Sequence, residues 1–224
     1  MILLLRHAQA LGGEGRYIGS TDLPLSDAGR AQARELGAAL AGCGVRALFA
    51  SPLTRARDTA RAAAEACGLE TTLLPDLAEI HLGAWEGRTF AEVRASDPEG
   101  FAARGADMAR FRPPGGESFA DVAARAEAAL RVLATANAPC AAVAHAGILR
   151  ALFCRVTGLP LEHLFRFRPL HACALVLESA KDAAAKKAAG ADAPGRVQKS
   201  DFRLIACNCP PSGLAALLAA RRAR

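Results

Sequence analysis

Aromatic side chains are scarce in this chain of 224 residues: they make up 5% of it, with one tryptophan and one tyrosine. Single-stranded nucleic acid is gripped by bases stacking on rings set in basic grooves, and no aromatic-rich basic motif of that kind is present. The net charge of +6 is spread along helical stretches, with a single dense terminal cluster at Arg221, Arg222 and Arg224. A basic cleft for a small anion, together with scattered surface arginine, accounts for that excess without nucleic acid. No apolar run approaches the roughly 20 residues that cross a bilayer, so no membrane partner is expected. Arg6 interrupts the first apolar run too early for the core of a secretion signal, which makes the cytoplasm the expected compartment.

Paired cysteine ligands are also missing. Seven cysteines occur, an odd number, and Cys207 and Cys209 form only a C-x-C pair with no second Cys/His pair nearby at zinc spacing. Cys43, Cys67, Cys140, Cys154 and Cys173 lie in apolar or helical contexts that suit reduced, buried thiols. What the chain does have is alanine, the main contributor to its 52% hydrophobic content. Alanine favours helices and lets them pack closely through small side chains. The length suits one domain spanning residues 1–224.

The apolar pattern alternates short runs with helical stretches. Ile2 to Leu5 reads as a strand; a glycine-rich stretch from Gly12 to Gly19 follows, and Ser26-Asp27 opens a helix with Ala33, Leu36 and Leu40 on one face. Val45 to Ala50 is the next strand, Thr54 to Cys67 the next helix, ended by Gly68, and Thr71 to Leu74 a short strand stopped by Pro75. Residues 88–116 break this rhythm with short helical pieces and Arg112-Pro113-Pro114-Gly115-Gly116, which reads as a lid over the strand ends. Ser118 and Asp121 have capping-box spacing before a long helix, and Cys140 to Ala144 then gives a strand and Ile148 to Val156 a helix. Two further strands are expected at Cys173 to Leu177 and Phe202 to Cys207, separated by a mobile loop over 179–200, with a short amphipathic helix over 214–224. The alternation predicts an α/β fold with a mostly parallel sheet.

In such a sheet the carboxyl ends of the strands share one edge, where ligands bind. Three runs end there on chemistry: Arg6-His7 after the first, Ser51-Pro52 with Arg55 after the second, and His145-Ala146-Gly147 after Ala144. A lone imidazole at a strand end is more often a hydrogen-bonded structural group than a catalyst, but two facing one edge with two arginines suggest a shared site. Guanidinium groups match phosphate oxygens in bidentate geometry, so Arg6 and Arg55 can clamp a phosphate ester. His145 and the amides of the following helix start would add donors. His7 is the best nucleophile, since imidazole attacks when neutral and Arg6 and Arg55 depress its pKa. Glu79, in the segment from Leu77 to Gly87, is the candidate proton donor. His163 and His171 show no partner spacing, Arg57 points away from Arg55, and Trp85 and Glu86 read as groups that fix the acid segment.

Through four ordered motifs the chain resembles the histidine phosphatase superfamily, also called phosphoglycerate-mutase-like. LLLRHAQ is similar to its opening element, SPLTRARDTA to its arginine-bearing helix start, LAEIHLGAWEG to its acid segment and VAHAGILR to its second-histidine element. The resemblance covers roughly residues 1 to 178 and implies a three-layer α/β/α sandwich. It also implies a phosphohistidine on His7, phosphate clamping by Arg6, Arg55 and His145, and Glu79 as proton donor and acceptor, with no metal and no cofactor. Further substrate contacts are expected from Gln9, Gly19, Ser20, Thr21 and His81. RYIGSTDLPLSDAGRAQA, EIHLGAWEG and RPPGGES look most like the alpha-ribazole phosphatase branch, which acts in cobalamin assembly. The chain departs from the usual pattern at Ala8, where relatives have glycine, and at Gly12-Gly13, where many carry asparagine. The expected partner is a small phosphorylated metabolite, and the expected state a monomer or homodimer. A phosphoglycerate mutase shares every one of these catalytic groups, and a phosphate-binding regulatory module without turnover is the alternative of another class.

Overall fold

Each strand of the central sheet is too apolar to leave either face in water. Along β1 (Ile2–Arg6), Ile2 and Leu4 point to one side and Leu3 and Leu5 to the other, and all four are buried. The computed structural model describes residues 1–136, 139–179 and 201–222. In it β1 is joined by β2 (Ala47–Ala50), β3 (Thr71–Leu73), β4 (Cys140–Ala144), β5 (Ala174–Ser179) and β6 (Phe202–Cys209) in one sheet of order β3-β2-β4-β1-β5-β6. The first four strands run parallel, while β5 is antiparallel to β1 and β6 to β5.

Helices cover both faces. Leu36 and Leu40 of α1 (Asp27–Ala41), Ala56, Ala60 and Ala63 of α2 (Thr54–Cys67) and Leu214 and Leu218 of α7 (Pro211–Arg222) pack with Leu3 and Leu5. On the other side α5 (Phe119–Thr135) and α6 (Ala146–Thr157) pack with Ile2 and Leu4. Two short helices, α3 (Phe90–Ser96) and α4 (Pro98–Ala106), precede α5. The result is the expected three-layer α/β arrangement. A glycine permits the close approach of α1 and α2: a Cβ on Gly37 of α1 would lie 2.5 Å from the Ala62 carbonyl oxygen of α2.

Local signals place the helix ends. The Ser26 hydroxyl accepts from the Gly29 amide, Ser118 and Asp121 form a reciprocal capping box, and Gly68 closes α2 in the left-handed conformation. Several expected boundaries move. β2 begins at Ala47 instead of Val45, and α6 begins directly after His145, which caps it. β6 runs on to Cys209 and carries the C-x-C pair within a strand, and α7 starts three residues earlier than expected because Pro211 suits a first helical turn. The loop expected over 179–200 lies, from residue 180 on, outside the described residues.

Candidate active site

Parallel pairing of β1, β2 and β4 brings Arg6-His7, Ser51 and His145 to one edge of the sheet. The His7 amide donates to the Ala144 carbonyl at 2.9 Å, and the two imidazole centroids lie 5.0 Å apart. His7 is 6% exposed and His145 fully buried. The His7 Nδ1 lies 2.7 Å from the carbonyl oxygen of Ala8, an arrangement that puts the proton on Nδ1 and leaves Nε2 with its lone pair. Burial, then Arg55 and Arg6, push the His7 pKa well below its usual value and keep the ring neutral. His145 is lowered likewise, by burial and then by His7 and Arg55. Its Nε2 is 2.7 Å from the Ser51 hydroxyl, and its buried Nδ1 has no partner among the described residues.

Ala8 fits its place. Its φ is not in the left-handed region, its amide donates to the Thr59 hydroxyl at 3.0 Å, and its methyl packs with Leu25 and Ala33.

Two guanidinium groups flank the imidazoles. Arg6 donates through Nη1 to the Pro169 carbonyl at 2.8 Å, while its Nε is buried with no partner among the described residues. Burial lowers its pKa to about 10, against an opposing effect of Glu79. Arg55, 2% exposed in the first turn of α2, donates to the carbonyls of Thr21 at 2.8 Å and Gly19 at 2.7 Å. The turn carrying those carbonyls is wrapped around Glu86. That carboxylate accepts from the amides of Gly19, Ser20, Thr21 and Leu82 and from the hydroxyls of Ser20 and Thr21. Burial alone would raise the Glu86 pKa, but the bonds from Thr21, Leu82, Ser20 and Gly19 outweigh it and hold it at about 2. Gly19 is obligatory, since a Cβ there would sit 1.9 Å from the Ile80 carbonyl oxygen.

Glu79 closes the site from the other side. Both of its carboxylate oxygens accept from the Gly147 amide, at 3.1 Å each, at the start of α6. Its segment is gripped by Arg125 of α5, which donates to the carbonyls of Asp76, Ala78 and Glu79 and pairs with both oxygens of Glu117.

A comparison with protein-family models matches residues 2–191 to the histidine phosphatase superfamily, branch 1. The chain belongs to the histidine phosphatase superfamily. A glucosyl-3-phosphoglycerate phosphatase of Mycolicibacterium vanbaalenii is 37% identical over 172 residues, 72% of this chain and 76% of the relative. The adenosylcobalamin/alpha-ribazole phosphatase of Salmonella typhimurium is 32% identical over 174 residues, 76% of this chain and 86% of the relative. A mycobacterial glucosyl-3-phosphoglycerate phosphatase solved with VO3 superposes with a TM-score of 0.75 at 28% identity, covering 93% of this chain and 98% of its own. The alpha-ribazole phosphatase of Shigella flexneri gives 0.75 at 25% identity, covering 92% and 95%.

In this superfamily member the five residues expected to act, Arg6, His7, Arg55, Glu79 and His145, converge on one edge. The expected substrate contacts divide. Gly19, Ser20 and Thr21 spend their donors on Glu86, and Gly19 and Thr21 lend their carbonyls to Arg55, while Gln9 is bonded to Ser26 and Gln32 of the α1 region. The His81 side chain is exposed, and its backbone is bonded to Glu117. Arg57 and His163 are exposed. His171, for which spacing offered no partner, stands with its ring 5.6 Å from His7, and burial followed by Arg6 brings its pKa down to about 4. Ala172, at φ 53, turns the chain there so that its amide meets the Arg6 carbonyl. Arg150 of α6, outside the expected site residues, lies over the Phe165 ring at 4.6 Å and donates to the Phe167 carbonyl.

Proposed function

We propose that this protein is a metal-independent phosphomonoesterase that works through a phosphohistidine on His7. The observation that carries this reading is a neutral, buried imidazole with a free Nε2, set beside two unpartnered buried nitrogens, Arg6 Nε and His145 Nδ1. Buried donors normally find an acceptor, and a phosphate oxygen would supply one to each. Arg55, locked by two carbonyls, offers its remaining N–H groups to the same anion.

The chemistry then runs in two displacements. The His7 Nε2 lone pair attacks phosphorus, the P–O bond to the leaving group breaks, and Glu79 passes a proton to the departing alkoxide. Glu79 next takes a proton from water as its oxygen attacks phosphorus, the P–N bond breaks, and the pair returns to His7 with release of inorganic phosphate. Ser51 donates to His145 Nε2, which keeps a proton on Nδ1 for the phosphoryl oxygens. Unbridged thiols throughout the described cysteines fit a reducing compartment, and we place the activity in the cytoplasm.

Two substrates are suggested by the relatives, an alpha-ribazole phosphate and a glucosyl-3-phosphoglycerate. A panel holding both, with phosphoglycerates and sugar phosphates, tests the reaction class. Phosphate release without isomerised phosphoglycerate is the expected result, and His7→Ala should lower it by at least about 10³-fold. Retention of most activity in that variant, or isomerisation without phosphate release, would contradict the assignment.

A further inference from the structure

A cleft of about 470 Å³ opens beside Glu79, lined among others by Tyr17, Phe101, Arg104, Phe119 and Arg150. Arg104 is the only buried residue of α4 and is 9% exposed. Its guanidinium is surrounded by rings, with its carbon 5.7 Å from the Tyr17 centroid, 5.8 Å from Trp85 and 5.5 Å from Phe119. Arg6, Arg16, Arg55, Arg125 and Arg150 each donate to at least one backbone carbonyl. Among the described residues Arg104 donates to no backbone carbonyl and no carboxylate pairs with it.

Burying a cation is costly unless it is paired, and ring faces offset only part of that cost, about 0.5–2 kcal/mol each. Desolvation accordingly lowers the Arg104 pKa. The group retains its charge, since guanidinium is not deprotonated near neutral pH. An unneutralised cation in the wall of a substrate cleft thus awaits an anion brought by the ligand. The phosphoryl group itself belongs at Arg6, Arg55 and His145, so this anion is a second one. Arg16 and Arg150 also line the cleft, but they are tied to the Gly87 and Phe167 carbonyls; Arg104, with no acceptor among the described residues and hemmed in by rings, matches a planar carboxylate, whereas a second phosphate dianion needs several free, convergent donors.

On the phosphomonoesterase reading, we infer that the substrate's leaving group carries a carboxylate, and that Arg104 is the residue that selects for it. The class is a phosphorylated hydroxy acid with a further body lying along the aromatic wall. An uncharged, nucleoside-like leaving group would leave Arg104 buried and unpaired, which is the basis of the discrimination.

The test compares kcat/KM for 3-phosphoglycerate, for glycerol phosphate, which has the same size without the acid, and for propanediol bisphosphate. The wild type should prefer 3-phosphoglycerate over glycerol phosphate by at least about 10-fold, the worth of one charge-assisted pair. Arg104→Met should bring that ratio close to one, and Arg104→Lys, which restores a cation, should recover part of it. Because the readout is a ratio within one variant, a partly unfolded preparation does not disturb it. Equal wild-type values, a preference that survives in Arg104→Met, or a still better bisphosphate would overturn the carboxylate assignment and leave the phosphatase reading intact. Absence of phosphate release from all three, and from p-nitrophenyl phosphate, would defeat both.

Discussion

Glu86 shows how one side chain holds the site without entering it. Six donors converge on its carboxylate, four from backbone amides, and the turn they define supplies the carbonyls that lock Arg55. An amide in its place keeps one acceptor oxygen and turns an NH2 toward other donors. Glu86→Gln should therefore lower stability by about 1–2 kcal/mol and kcat/KM by about 10–100-fold, read by denaturant titration and by steady-state kinetics. A variant with wild-type kcat/KM would show that Arg55 needs no such support. The residues that flank strand ends, Arg6, His7, Arg55 and His145, were legible in the sequence because an apolar run followed by a charge marks where a strand stops. The pairing of Ser51 with His145 and the roles of Arg125 and Arg150 were not, since they arise from partners 94, 49 and 17 positions away. Glu86 was legible as a structural group, but its grip on the Gly19–Thr21 turn was not.

At the scale of elements, the decisive contact is the start of α6 against the acid segment. Gly147 presents its amide to both Glu79 oxygens, and a Cβ at that position would lie 2.2 Å from Oε1. Gly147→Ala suits the helix, and alanine is favoured over glycine there by up to about 1 kcal/mol. The carboxylate, at the far end of a flexible side chain, is what must move. The variant is expected to keep its thermal midpoint while kcat falls by about 10–100-fold, since proton transfer tolerates little misplacement. An unchanged kcat would mean that Glu79 does not work from this position. Alternation of strand and helix announced the layers and most helix ends. It predicts parallel strands and gives no sign that β5 is antiparallel, and for that reason His171 shows no partner in the sequence: β5 runs against β1, so the residues that precede β5 fall beside His7.

For the whole molecule, burial of ionisable groups ties stability to pH. His7, His145 and His171 are all held neutral in the fold, with pKa values below the ordinary 6.5. The unfolded chain therefore binds more protons below 6.5, and stability present above that pH is lost as the medium is acidified toward the folded values, about 4 for His171. Glu86 adds a second loss between 4.5 and its folded value of about 2. The thermal midpoint should fall between pH 7 and pH 5, by about 2–4 °C for each kcal/mol lost, and His171→Gln should show a smaller fall. A midpoint that is flat across this range would show that the imidazoles are not buried in the neutral form. Fold, orphaned nitrogens and a neutral imidazole are the grounds for the proposed covalent event, the transfer of a phosphoryl group to His7. Rapid acid-free quenching of the enzyme during turnover, followed by peptide mass spectrometry, measures it directly. One acid-labile phosphoryl group on His7, absent from His7→Ala, is the predicted result; turnover with His7 unmodified, or a phosphoryl group on another residue, would contradict it.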